Sequence, residues 1–197
     1  MDAGAFPPSR ADARLNRQRI LDAADEVFSL CGVQVPLERI MTAAGVGRAT
    51  FYRHFADRET LLASLLDRAI NEMEELIGRH GDEEDSLLKL FAFMLDRMKF
   101  RLALVEYWSA IDARHPANSR TVERMSQICS APLDRAVRAG LCRSDLTLLD
   151  ISLYGRMLGA AMQGCAADER AEVGARAAAL LFNGVGPATF PDTDIQG

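Results

Sequence analysis

Long hydrophobic runs are missing from this 197-residue chain. No window approaches the roughly 18 unbroken apolar residues of a membrane span, and the N-terminal MDAGAFPPSRADARLN has no apolar leader core. The expectation is a cytoplasmic protein with no membrane partner. Cysteine is sparse too. Cys31, Cys129, Cys142 and Cys165 are widely separated, with no CxxC pair and no companion histidines. That pattern argues against a disulfide framework or zinc site and for small buried thiols in a reducing compartment. The three histidines, His54, His80 and His115, are too scattered in sequence to suggest a metal. Catalytic signatures are also lacking: no GxSxG, no Walker loop, no Cys/His nucleophile pair, no carboxylates at metal spacing. No enzyme, catalytic residue, metal or cofactor is expected.

A basic excess is absent as well, since the net charge is −5. Residues 1–60 nevertheless balance eight basic against eight acidic side chains, so the whole negative excess lies downstream. A local basic surface in the first third stays open. What the chain does have is 49% hydrophobic and 26% charged residues, the balance of an ordinary globular protein of one or two domains.

Helical periodicity dominates. After a flexible arm (1–12, with Pro7 and Pro8), Ile20, Ala24, Val27, Phe28 and Cys31 share one helical face that Gly32 ends. Pro36 suits the first turn of a short helix carrying Leu37, Ile40, Met41 and Ala44, which Gly45 breaks. Gly47 is a permissive N-cap for the next helix, and Asp57 caps a long one running to about Gly78. Further helices are expected at about 83–100, 102–113, 119–139, 146–166 and 169–184. Pro132 should kink the third of these, and Ser144 or Asp145 should cap the fourth. No strand or internal repeat is evident. The fold class is all-α with about nine helices, in units of 13–56 and 57–184 and a frayed tail at 185–197.

The stretch VGRATFYRHFADRETL, Val46 to Leu61, carries the functional signal. Two short helices joined by a glycine turn and resting on a longer first helix form a helix-turn-helix, whose second helix fits the major groove of DNA. On the helical wheel Phe51 and Phe55 share the inward face with Val46. Ala49, Thr50, Arg53 and His54 lie away from it, and Arg48 and Tyr52 flank it. Small Ala49 and Thr50 permit close approach to base edges, Arg48 has the fork for guanine, and Tyr52, His54 and Arg58 are donors for phosphates. Thr42, on the preceding helix, joins this candidate DNA-binding set.

The segment RILDAADEVFSLCGV…LERIMTAAGVGRATFYRHFADRETLL resembles the DNA-binding domain of the TetR family of bacterial transcription regulators. The matching residues are Ile20, Leu21, Ala23, Ala24, Phe28, Ile40, Ala44, Gly45, Val46, Thr50, Tyr52, His54, Phe55, Glu59 and Leu61. Departures from the family pattern are Met41 for Ala, Val35-Pro36 for a threonine-rich approach to the motif, Gly47 for Ser and Arg58 for Lys. Glu38 and Arg39 sit near the groove edge, where Glu38 either reads cytosine or repels phosphate. The resemblance implies a homodimeric, ligand-responsive regulator, a repressor in the first instance, bound to a palindromic double-stranded DNA operator. A ligand-independent architectural DNA binder is the alternative.

Beyond Asp57 the bulky residues exceed what two helix faces need. Phe93, Met94, Tyr107, Trp108 and Met125, with Arg97 and Cys129, are candidates for an adaptable apolar pocket holding a small-molecule effector. Taken singly, each is better explained as core; as a group they point to a pocket. Between Leu146 and Leu181, Gly155, Gly159, Ala160, Ala161 and Gly164 form a small-residue surface beside Leu153 and Met157. Following the family, Leu153, Met157, Ala160, Ala161, Ala177, Leu180 and Leu181 are the expected two-fold interface; packing within one chain is the competing explanation.

Overall fold

The computed structural model describes residues 10–98, 101–110, 119–166 and 168–183. Among them are nine helices and no strand: α1 (Arg10–Cys31), α2 (Leu37–Ala44), α3 (Arg48–His54), α4 (Arg58–His80), α5 (Ser86–Met98), α6 (Leu102–Ala110), α7 (Ser119–Arg138), α8 (Leu148–Met162) and α9 (Arg170–Asn183). No helix is long and apolar enough to cross a membrane. The tail expected at 185–197 lies outside the described residues.

Helix ends follow local chemistry, and several differ from the sequence expectation. α1 begins at Arg10, inside the segment expected as a flexible arm, with Asp12 placed in the positive first turn. α4 continues through Gly78 to His80, since one glycine costs a helix only about 1 kcal/mol and Arg79 and His80 suit its negative end. α8 begins at Leu148 and is capped by neither Ser144 nor Asp145. Thr147 takes that place in a reciprocal capping box: its hydroxyl accepts from Asp150 N–H at 3.3 Å, while its own N–H donates to the Asp150 carboxylate at 2.8 Å. Asp145 is engaged elsewhere, accepting from Arg143 at 2.9 Å. α8 also stops at Met162, short of residue 166, because Gly164 turns the chain with φ +77°. α7 runs through Pro132 as one helix, and the ring is fully buried.

The turn between α2 and α3 requires glycine. Gly45 sits at φ 64°, ψ 33°, and its N–H donates to Thr42 O at 3.1 Å while Val46 N–H donates to Met41 O at 3.1 Å. This left-handed C-cap satisfies the last carbonyls of α2 and reverses the chain into α3. Gly47 caps α3 with extended backbone and no side-chain bond. Pro36 falls at the N-cap of α2, one residue before the helical position expected.

Three buried clusters organise the fold. The first joins α1, α2, α3 and the start of α4, with Ala103 and Leu104 of α6 added. The second joins α4, α5, α7 and the start of α8. The third sits under Met98, Leu158, Met162 and Ala178. α4 belongs to the first two, and arginines fasten it on several sides. Arg68 reaches Asp22 at 2.6 Å and Asp25 at 2.9 Å on α1. Arg124 of α7 donates to both oxygens of Glu74 at 2.8 Å, and also meets Asn71 and Asp67. The Arg124 hydrogen bonds hold the Glu74 carboxyl below its ordinary pKa.

Candidate nucleic-acid interface and internal cavity

α3 is positioned by its own aromatic face. Phe51 and Phe55 are almost completely buried, with ring centroids 6.0 Å apart. Each buried ring contributes about 1.5–3 kcal/mol by leaving water, enough to seat a two-turn helix that would not persist alone. Arg17 of α1 covers Phe55 from 5.0 Å and donates to Ser64 of α4 at 3.1 Å, bracing α3 between the two long helices.

The opposite face is open. Arg48, Ala49, Tyr52 and Arg53 are exposed, while Thr50 and His54 are half-buried. Arg48 lies 5.5 Å from the Tyr52 ring centre and 3.7 Å from the Glu38 carboxylate, both partners in the ion pair being well solvated. Arg53 folds back along α3, donating to Thr50 Oγ1 at 3.0 Å and Ala49 O at 3.3 Å. Thr42 is exposed on α2 and donates to Glu38 O at 2.9 Å. Burial, then the charges of Arg17 and Arg53, push the His54 pKa below its ordinary value. The outward side of α3 and the end of α2 thus bring together every predicted DNA-facing side chain but one.

The exception is Arg58. Its guanidinium turns inward, donating to Val35 O at 2.6 Å and to Val33 O, and lies 5.9 Å from the Phe28 ring centre. The carbonyls of the α1–α2 loop occupy the donors that the sequence offered to phosphate. Arg58 is therefore placed as a latch holding that loop against the start of α4. Sequence reasoning had no signal for it, because the acceptors are backbone atoms more than twenty residues away.

Farther along α4, a cavity of about 160 Å³ opens between α4, α5, α6, α7 and α8. A single water needs only about 10–15 Å³, so a small organic molecule fits. Five of the seven predicted ligand residues line it: Phe93, Met94, Arg97, Met125 and Cys129. Burial pushes the Cys129 thiol up to about 11, so it faces the cavity as a neutral group. Tyr107 is not in the wall. It lies at the seam of the first two clusters, towards Asp57 and Glu59, whereas the cavity opens beside Leu66 to Met73, farther along α4. Trp108 falls on α6, but its side chain lies outside the described residues.

Sequence reasoning missed the polar end of this cavity. Glu72 and Arg101 line it beside Arg97, and the same three residues line a polar cleft on the α1 side. Arg101 donates to both Glu72 oxygens at 2.9 and 3.0 Å and to Asp25 at 3.0 Å. Burial alone opposes its charge, but the two carboxylates outweigh that and raise its pKa.

The predicted interface residues divide by exposure. Leu153 (40% exposed), Met157 (46%) and Leu180 (41%) are open, joined by Leu149 (68%) and Phe182 (48%), which sequence reasoning did not include. Ala160 and Ala161 are exposed beside them, while Ala177 and Leu181 are half-buried against the third cluster. The spacing of Leu149, Leu153 and Met157, four residues apart, is the signal that would have added Leu149. Gly159 leaves the expected outer surface, because a Cβ there would stand 2.1 Å from Val105 Cγ1. Its smallness lets α8 lie against α6 within the chain.

A helix-turn-helix with a solvent-facing basic and aromatic second helix, mounted on an all-helical body, defines the class of DNA-binding regulators. Residues 20–65 match the family model for bacterial regulatory proteins of the tetR family. A helix-turn-helix-type transcriptional regulator of Staphylococcus aureus (strain bovine RF122 / ET3-1) is 40% identical over 88 residues, 44% of this chain and 48% of the relative. The chain thus spans about half the length of that curated relative, or 34% for a similar regulator from strain USA300. A TetR transcriptional regulator from Streptomyces coelicolor has a similar structure, with TM-score 0.58, 26% identity and coverage of 88% of this chain and 99% of that one. A TetR transcription regulatory protein from Mycobacterium vanbaalenii gives 0.54 and 27%, over 74% of this chain and 90% of its own. Residues 20–65 thus carry the helix-turn-helix domain described by the tetR family model, on a chain whose fold is similar to that of TetR transcription regulators.

Proposed function

We propose that the protein is a homodimeric repressor in which residues 13–56 read a palindromic operator and residues 57–184 hold a small, mostly apolar effector and the partner copy. The observation that carries this reading is the placement of the cavity against α4. That helix follows the reading helix after three residues and is tied to α1 by Arg68 and, through Glu72, by Arg101. A molecule that separates α4 from α5 or α7 pulls on the base of the helix-turn-helix. In this scheme Arg48 reads guanine, Ala49 and Thr50 allow close approach, and Tyr52, His54, Arg53 and Thr42 contact the backbone.

Two reading heads are needed for useful specificity, and a two-fold protein matches a palindrome. The apolar face of Leu149, Leu153, Met157, Ala160 and Ala161 on α8, with Leu180 on α9, is the surface we assign to the partner copy. Operator and effector then weaken each other's binding by the same factor.

A gel-shift titration on DNA upstream of the protein's own gene tests the scheme. A dimer-sized complex is expected, and an occupied cavity should release it. If filling the cavity left operator affinity unchanged, the ligand-independent DNA binder would be the correct reading.

A further inference from the structure

We propose that the effector is an amphipathic monoanion, an apolar body ending in one carboxylate-like group, whose charged end pairs with Arg97. This rests on the reading of the cavity as the effector site and specifies its ligand chemistry. Most of the wall comes from aliphatic, aromatic and methionine side chains, which suit an apolar body. The charged side chains of the wall stand together: Glu72, Arg97 and Arg101. Arg101 is answered by Glu72 and by Asp25, so Arg97 is the wall guanidinium with no carboxylate within hydrogen-bond reach among the described residues.

The bonding state of each group sets the sign of the ligand. Glu72 has both oxygens occupied by Arg101, at 2.9 and 3.0 Å, so a cation would find no open carboxylate there. Arg97 approaches Glu72 only to 3.8 Å, beyond hydrogen-bond reach, and its guanidinium lies 5.0 Å from the Phe93 ring centre. Its planar fork is thus held at the cavity by stacking, with donors available to an incoming carboxylate. The acids Asp22 and Asp25 line the cleft on the α1 side and not the cavity; both pair with Arg68, and Asp25 also with Arg101. They answer Arg68 and Arg101, so the guanidinium left open to the cavity is that of Arg97.

Octanoate, octan-1-ol and octylammonium share one apolar body and differ in the head group. Calorimetric titration of the full-length protein with each should rank octanoate first, at least tenfold tighter than the alcohol, with octylammonium last. Arg97→Met, which keeps an unbranched side chain and removes the guanidinium, should bring octanoate down to the affinity of octan-1-ol. Gly155→Leu should block all three probes, because Gly155 lines the cavity and a Cβ there meets no atom within 4 Å. Equal binding of acid and alcohol, insensitive to Arg97→Met but lost in Gly155→Leu, would overturn the anionic head group while sparing the cavity. A preference for octylammonium would also overturn it. Binding of the probes that survives Gly155→Leu, or no binding by any probe, would instead sink the cavity reading itself.

Discussion

The guanidinium of Arg101 lies 2.9 Å from the Asp25 carboxylate and also holds both oxygens of Glu72, so α1, α4 and the residue that leads into α6 meet on one cation. The Arg101 side chain is only 14% exposed, and its partners 21% and 27%. Arg101→Gln leaves two part-buried carboxylates without their counter-charge. After discounting for residual solvent, the expected loss of stability is about 1–3 kcal/mol. Urea denaturation measures it. A midpoint equal to wild type would mean that the three-helix junction is held by apolar contacts alone.

Arg58 sits beside the reading helix but bonds backbone carbonyls at Val33 and Val35. Arg58→Met should lower stability by about 1–3 kcal/mol through the unpaired carbonyls. Its salt dependence of DNA binding should match wild type, whereas loss of a phosphate contact flattens the slope by about one unit. A flattened slope with normal stability would restore the phosphate role.

Arg48 is solvated, stacked near Tyr52 and 3.7 Å from Glu38. Replacing it by alanine should cost about 1–3 kcal/mol on the operator and relax the preference at one base pair. Glu38→Gln should instead tighten binding modestly, by releasing Arg48 and removing a negative charge from the groove edge. Competition binding against single-base operator variants separates the two effects; uniform weakening across all variants by Arg48→Ala would assign Arg48 to the phosphate backbone.

His54 has its pKa lowered from 6.5 by burial, Arg17 and Arg53. A depressed folded pKa means that its contribution to stability is present above about pH 6.5 and lost as pH falls through the lower folded value. A DNA phosphate favours the imidazolium, so operator binding should take up a proton and tighten as pH falls through the same window. His54→Gln should flatten that pH dependence. An equally steep profile in the variant would remove His54 from the phosphate-contacting set.

Met157 and Gly159 stand two residues apart on α8, yet one is 46% exposed and the other buried against Val105. Met157→Glu should give a folded, helical monomer with weak operator binding, by placing a charge in an apolar interface. Gly159→Leu should cost about 1–3 kcal/mol or more by forcing α8 off α6, without selectively changing the oligomeric state. Sedimentation with thermal melts distinguishes them. A dimer of wild-type strength from Met157→Glu would move the partner surface off this face of α8.

Local chemistry made most of the helices legible. Gly45 needs a left-handed turn, Asp57 caps with its own carboxylate, and Phe51 with Phe55 repeat every four residues; each operates within about one turn of chain, so sequence order is enough to read it. The outward set on α3 followed from the same periodicity. Three cavity residues, Phe93, Met94 and Met125, were likewise legible as a surplus of methionine and aromatic side chains, although Tyr107 carried the same signal and went to a seam between clusters. Tertiary packing decided the rest. Whether an arginine meets phosphate, as expected of Arg58, or a carbonyl depends on which backbone lies within reach once the helices dock. Arg101 faces Asp25, 76 residues away, and Glu72, 29 residues away, only because α1, α4 and α6 cross there. Gly159 and Ala160, adjacent and similar in size, part to opposite faces because α6 lies against one side of α8 only. Charge pairing and close approach are set by distance in space, and distance in space is what the order of residues does not record.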